Sequence, residues 1–211
     1  MDKIKGFIFD WSGTISNDIF PVYKANIAVL QHFKGMGMSF EEWRLRASGS
    51  AVAFFRSMGI ILQEANDELL ERMYKSNFDR FILEHQPTMY DGVPEVLKHL
   101  SRGNNILAVL SSHPPENLEA EARRYGIFNF FKLLRGGVRD KTIALSDLCK
   151  QLGIGLEQVI YLGDTVFDID AARDAGCKSG AVCWGYHPKK RLMSKSPDLL
   201  LERLNELVDY F

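Results

Sequence analysis

The sequence predicts an α/β fold: an open parallel sheet with helices on both faces, interrupted once by an all-helical insertion. Three observations predict it. Short apolar runs recur along the chain, each ending in a small or polar cluster. These runs are nearly all apolar rather than alternating, which suits strands buried on both faces of a parallel sheet. From about residue 92 onward helical patterns separate the runs in regular alternation, whereas residues 17–86 hold no convincing strand.

The first run, Ile4 to Phe9, ends at Asp10. The insertion follows it. There Tyr23, Ile27, Leu30 and Phe33 share one helical face, and Leu69, Leu70, Met73, Phe78, Phe81 and Ile82 mark a second long helix. Pro87 and Asp91-Gly92 punctuate the return to the sheet. Over Pro94 to Leu100 the stripe is Val93, Val96, Leu97 and Leu100, and the strand Asn105 to Leu110 then ends at Ser111-Ser112. Glu116 to Tyr125 carries Leu118, Ala122 and Tyr125 and is stopped by Gly126. A weaker strand, Phe131 to Leu134, ends at Arg135-Gly136-Gly137. Lys141 to Leu152 is helical through Ile143, Ala144, Leu148 and Leu152 and closes at Gly153. Gln158 to Leu162 ends at Gly163-Asp164, Phe167 to Ala175 is a helix ending at Gly176, and Lys178 to Trp184 is the last strand, ending at Gly185. No tandem repeat or low-complexity tract interrupts this order.

Composition narrows the function classes. At 211 residues and 46% apolar, the chain buries a sufficient core without a disulfide or metal staple. Its 26 Lys and Arg balance 27 Asp and Glu. That balance argues against a nucleic-acid or anionic-membrane partner, whose binding would rest on clustered cations. Cys149, Cys177 and Cys183 form no CxxC pair and read as reduced, packed thiols. No run approaches the roughly 20 apolar residues of a membrane span, and the opening MDKIKGFIFD lacks a signal-peptide core. A cytoplasmic chain is expected. Its oligomeric state is left open by the sequence.

Ligands of open parallel sheets bind beyond the carboxyl ends of the strands. Asp10, Ser111 and Asp164 each follow a predicted strand there, and Lys141 opens a helix after the weaker one. Two hard oxygen donors, Asp10 and Asp164, suit Mg²⁺. Asp10 is also a candidate nucleophile, since carboxylates form aspartyl-phosphate intermediates. Ser111 offers a hydroxyl to phosphate oxygens, with Ser112 beside it, and Lys141 a balancing positive charge. Phosphoryl transfer needs mainly positioning and charge stabilisation, and this set supplies both.

Four ordered motifs carry a family resemblance: FDWSGTI (Phe9 to Ile15), ILAVLSS (Ile106 to Ser112), Lys141 in RDKTIAL, and YLGDTVFDIDAARDAG (Tyr161 to Gly176). With DGVPEVLKHL and VCWGYHP they resemble the haloacid dehalogenase (HAD) superfamily, particularly its phosphoglycolate-phosphatase-like and phosphonatase-like branches. The resemblance implies a Rossmann-like core over residues 1–16 and 87–211, with 17–86 as a helical cap that closes over the site. It also implies a Mg²⁺-dependent phosphatase of a small phosphorylated metabolite. In that reading Asp10 is nucleophile and metal ligand, the Ser12 carbonyl is the second protein ligand, and Asp164 is the acidic ligand with Asp168 behind it. Ser111 and Lys141 hold phosphate, while Gly13 and Thr14 shape the loop. Asp168 has a second reading, as a first-turn residue favoured by its helix dipole.

One position departs from the pattern. The family's phosphatases usually carry a second aspartate two residues after the nucleophile, to protonate the leaving oxygen and later activate water. Here it is Ser12. General acid–base help is worth about 10²–10⁴-fold, so alkoxide leaving groups suffer most. Two alternatives follow: a phosphonatase-like C–P hydrolase using a cap lysine (Lys24, Lys34 or Lys75), or a weak or inactive phosphatase fold serving as a binding module. His113, just past the second motif, could substitute as proton donor, or be a solvated or helix-capping residue. Arg44, Arg46 and Arg56 could grip an anionic substrate or form a solvated face. The run His187-Pro188-Lys189-Lys190-Arg191 reads as solvated surface.

Overall fold

The computed structural model describes residues 4–211; Met1 to Lys3, at the start of the first expected core segment, lie outside the described residues. The chain divides into two compact units, Met1–Ser16 with Met89–Phe211, and Asn17–Thr88. In chain order the elements are β1 (Gly6–Phe9), β2 (Ser16–Asn17), α1 (Ile19–Lys34), α2 (Phe40–Arg46), α3 (Ala51–Ser57), α4 (Asp67–Glu84), β3 (Thr88–Met89), α5 (Val93–Arg102), β4 (Ile106–Leu110), α6 (Pro115–Arg124), β5 (Leu133–Arg135), α7 (Lys141–Leu152), β6 (Val159–Gly163), α8 (Val166–Ala175), β7 (Lys178–Val182), α9 (Lys189–Met193), β8 (Leu199–Leu201) and α10 (Leu207–Tyr210).

The first unit is built on a six-stranded sheet ordered β5-β4-β1-β6-β7-β8, with every adjacent pair parallel. β1 is buried on both faces, as its apolar run requires. Successive side chains point to opposite sides of a strand. Phe7 and Phe9 therefore join the core beneath α5, α6 and α10, with Val96, Leu97, Leu118, Ala122 and Leu207. Ile8 joins the opposite core beneath α7 and α8, with Leu145, Leu148, Ala171 and Ala172. Helices thus cover both faces, and the predicted Rossmann-like class holds.

The strand expected over Lys178 to Trp184 stops at Val182. Beyond it the chain turns, and the Trp184 indole N–H donates to the Thr14 carbonyl (3.1 Å). β8, α9 and α10 carry no signal the sequence reading detected; β8 is only three residues long. The cysteines are free. Burial pushes the Cys149 thiol up to about 11 and that of Cys177 to about 12, so both are inert packing groups.

The second unit is four helices. α1 and α4 pack along each other. Ser39 and Glu42 form a capping box on α2, and Ser50 and Asn66 cap α3 and α4. Arg56 is a structural clamp: it donates to the carbonyls of Ile60 and Ala65 (2.8 Å each) and pairs with Asp67. Arg44 lies over the Phe40 ring, and Arg46 is exposed. Among the described residues no helix is long and apolar enough to cross a membrane.

Leu148, fully buried on α7, fixes the helix that begins at Lys141. Leu148→Ala is expected to cost about 2–5 kcal/mol, read as a lower urea midpoint with an unchanged slope.

Candidate active site

The sheet order makes the site. Connections from β1 run toward β4 and β5, whereas β6 leads the other way, to β7 and β8. The carboxyl ends of β1 and β6 therefore flank the point where the winding reverses, the usual ligand crevice of such sheets. Phe9 pairs with Leu162 on β6 and with Val109 on β4, and the Asp10 amide donates to the Leu162 carbonyl (2.8 Å). This register brings Asp10, Ser111 and Asp164 out at one rim. Lys141 and Asp168 reach the same rim from the first turns of α7 and α8.

Asp10, Asp164 and Asp168 are buried, with one oxygen of each lying within 4.8 Å of the others. A single ammonium stands among them: Lys141 Nζ is 2.8 Å from Asp10 Oδ2 and 2.6 Å from Asp168 Oδ1. Burial alone would lower the Lys141 pKa, but Asp10 and Asp168 hold it well above the ordinary lysine value. Burial likewise would raise Asp168; the Lys141 charge and the hydrogen bonds from Lys141 and Thr165 outweigh it, and Asp168 stays below its usual range. Asp10 is raised by burial and by Asp168, only partly offset by Lys141. Asp164 is raised furthest, first by burial and then by repulsion from Asp168 and Asp10.

Each carboxylate has a different environment. Asp168 is saturated: Oδ1 accepts from Lys141 and lies 3.2 Å from the Tyr161 hydroxyl, and Oδ2 accepts from the Thr165 amide (3.0 Å) and hydroxyl (2.6 Å). It is also the third helical residue of α8, in a capping box with Thr165, so both sequence readings of Asp168 describe the same geometry. Asp164 accepts from the Tyr186 amide at Oδ2 (2.6 Å), with the Thr14 hydroxyl 3.4 Å from Oδ1. A Cβ at Gly13 or Gly185 would collide with this carboxylate, and Gly13 also needs a left-handed φ of +75°. Asp10 accepts from its neighbour's amide, Trp11 N, at Oδ1 (2.7 Å).

The donors suit a hard divalent cation. Three carboxylates against one ammonium leave an excess of negative charge equal to that of such an ion, and all candidate ligands are oxygens.

Ser111 is buried beside Asp10, hydrogen-bonds to it, and accepts from the His113 amide (3.3 Å). Ser112 is exposed on the same loop. Ser12 is half-buried, its Oγ 3.4 Å from His113 Nδ1. His113 is 8% exposed, not the solvated residue that was the alternative expectation. The run from His187 also begins in the interior: His187 is buried, and its Nδ1 accepts from the Val166 amide (3.0 Å). Of the insertion's lysines, Lys34 is paired with Glu64 (2.8 Å), and Lys24 lies against the Phe20 and Phe81 rings.

Residues 4–176 match the haloacid dehalogenase-like hydrolase family. The chain belongs to that family. It is 28% identical over 221 residues to an N-acetylmuramic acid 6-phosphate phosphatase of Pseudomonas aeruginosa, covering 98% of this chain and 94% of the relative. A phosphoglycolate phosphatase of Synechococcus elongatus is 34% identical over 122 residues, 57% of this chain and 58% of the relative. In fold it is similar to a haloacid dehalogenase-like protein of unknown function from Agrobacterium tumefaciens (TM-score 0.82, 19% identity, 98% and 97% covered). Within the HAD family the chain falls in the phosphoglycolate-phosphatase-like branch, among phosphoric monoester hydrolases.

Several contributors escaped the sequence reading. Tyr161 left a detectable signal, a hydroxyl in the middle of an apolar strand. So did Glu121, a charge on the stripe Leu118, Ala122, Tyr125. The Tyr186 amide and Gly185 left none beyond their place in VCWGYHP, because a backbone donor has no side-chain signature.

Because Asp164 has a raised pKa in the fold, ionising it opposes folding when no cation is bound. The sign follows from linkage: the penalty is full above the folded pKa and fades as pH falls toward the unfolded value. With divalent ions chelated, Asp164→Asn is expected to unfold at higher urea than the parent at pH 8, and the gap is expected to narrow as pH is lowered toward 4.

Proposed function

We propose that this HAD-family hydrolase is a Mg²⁺-dependent phosphatase of a small phosphorylated metabolite, working through an aspartyl-phosphate on Asp10. The observation that carries the reading is Lys141 seated between Asp10 and Asp168 inside a buried three-carboxylate cluster. Asp10 would attack phosphorus in line, kept reactive by the Lys141 charge despite its burial. The carboxylates of Asp10 and Asp164, with the Ser12 carbonyl, would hold the cation. Asp168, its oxygens already occupied, would stay behind them and fix Lys141. Ser111 and Lys141 would receive the transferred phosphate, with Ser112 at the mouth of the same loop. Bound there, Mg²⁺ supplies charge neutralisation to the phosphoryl oxygens.

The curated relatives are named for phosphoglycolate and N-acetylmuramic acid 6-phosphate, both phosphate esters of small hydroxylated organic acids. A substrate of this class, with an alkoxide leaving group, is the reading favoured for this chain. Cleavage of a C–P bond through a lysine Schiff base would fall to Lys75, exposed on α4, since Lys34 is ion-paired and Lys24 is packed on aromatic rings.

With p-nitrophenyl phosphate and Mg²⁺, Asp10→Asn is expected to reduce turnover to background. Lys141→Ala is expected to lose about 10²–10³-fold, the scale of removing one charge-stabilising group. Equal rates for Asp10→Asn and the parent would reject the mechanism.

A further inference from the structure

Trp11 is the hub of the loop that presents the nucleophile. Its amide donates to Asp10 Oδ1 (2.7 Å) and Lys141 donates to Oδ2 (2.8 Å), so the Asp10 carboxylate is gripped at both oxygens. The Trp11 carbonyl gathers the amides of Thr14, Ile15 and Ser16 (3.2, 2.9 and 2.9 Å). The placement of this one residue therefore sets both the orientation of Asp10 and the curl of the chain after it. What fixes Trp11 lies 110 positions away, on α6. Glu121 Oε2 accepts from the Trp11 indole N–H (2.8 Å) and from the Ser16 hydroxyl (3.0 Å). Tyr125, one turn further along the same helix face, stacks on the Trp11 ring, with centroids 5.9 Å apart and planes at 18°. Its hydroxyl is 2.9 Å from Ser16 Oγ. Ser16 has one hydroxyl hydrogen and gives it to Glu121, so Tyr125 is the donor in that contact.

A carboxylate is costly in this place. Glu121 is buried beside Leu118 and Ala122 on α6, and burying its charge opposes folding unless donors meet it. The donors that meet it come from the two ends of one loop, at Trp11 and Ser16. We propose that Glu121 is a positioning residue for the nucleophile, an inference that rests on the phosphatase reading above. It staples the loop from Trp11 to Ser16 onto α6 and, through Trp11, sets the amide that orients Asp10. A charge-assisted bond to the indole, added to the stacking on Tyr125, locks the Trp11 ring from its edge and its face together. The role needs a fixed acceptor oxygen and no proton transfer.

The experiment is single-turnover release of p-nitrophenolate from p-nitrophenyl phosphate with Mg²⁺, the enzyme being in saturating excess over the ester. This leaving group needs little protonation, so the rate constant reads attack by Asp10. Glu121→Ala, which keeps a good helix former on α6, is expected to lower that rate constant by about 10²-fold, the scale of a small misplacement of reacting groups. Glu121→Gln retains an acceptor oxygen for both donors and is expected to keep most of the parent's rate. Trp11→Phe retains a stacking ring without the N–H and is expected to lose about as much as Glu121→Ala. The double variant is expected to lose no more than either alone, because both changes remove the same bond. A merely structural role would lower the active fraction and leave the rate constant of the remaining molecules unchanged; that result overturns the proposal. So does Glu121→Gln as slow as Glu121→Ala, or losses that multiply in the double variant. Should Glu121→Ala fail to fold, Trp11→Phe decides: a fall of its rate constant supports the staple and an unchanged one overturns it. The indole proton resonance of Trp11 in the metal-free chain, identified by its absence in Trp11→Phe, is expected to move upfield in Glu121→Ala, and a resonance that stays in place overturns the bond. Parent turnover matched by Glu121→Ala and Trp11→Phe removes the staple and leaves the phosphatase reading standing. No turnover of any phosphate by the parent removes both.

Discussion

The contact on which the site depends is the ammonium of Lys141 held between the carboxylates of Asp10 and Asp168. Burying three acids in one crevice is costly, because desolvation and mutual repulsion both oppose their ionisation. One lysine offsets part of that cost, and it does so unequally. Asp168, which also has Thr165, is depressed, whereas Asp10 and Asp164 are raised. The arrangement therefore separates a carboxylate whose charge is favoured from two whose charge is tolerated best when a cation joins them.

That inequality follows from the elements that supply the residues. Asp168 sits in the first turn of α8, where helix amides and the Thr165 cap favour negative charge. Asp10 and Asp164 instead sit just beyond strand ends, where the backbone has left the sheet ladder and only local loops can donate. The loop after β7 supplies the Tyr186 amide to Asp164, and the Trp184 indole ties the same loop to the carbonyl of Thr14. Glycines at 13 and 185 let two backbones approach Asp164 closely. The β1 and β7 loops thus form the wall of the crevice, although their strands are separated by β6.

Much of this was legible in the sequence because it lies in side chains next to pattern breaks. Asp10, Ser111 and Asp164 ended apolar runs, and Lys141 opened a helical stripe, so position and chemistry were visible together. What was hidden depends on distance or on the backbone. Trp11 and Glu121 meet across 110 positions, and nothing local marks either as the other's partner. His113 reads from the sequence as a proton donor or as a solvated or helix-capping residue, and nothing local marks it as buried. Its burial comes from tertiary closure of the β5 loop, where the Gly137 amide donates to the His113 carbonyl (2.7 Å) and a Cβ on Gly136 would strike that same carbonyl. β8 escaped because three leucines carry no period that separates strand from helix.

The serine at position 12 also has an electrostatic consequence. An aspartate there would bring a further carboxylate to the loop after β1, near a cluster that already has three acids and one internal ammonium, and would raise the cost of keeping Asp10 ionised. In this chain a carboxylate stands instead at Glu121, one layer back, where the Trp11 indole and the Ser16 hydroxyl hold it. Both donors belong to the segment that leaves β1, so the loop presenting the nucleophile also orients the distant acid. A negative charge separated from the crevice by an imidazole ring bears less on Asp10 than one beside it, since interaction energy falls with distance and with intervening polarisable groups. A carboxylate held behind His113 thus adds less repulsion around the nucleophile than one at position 12 would.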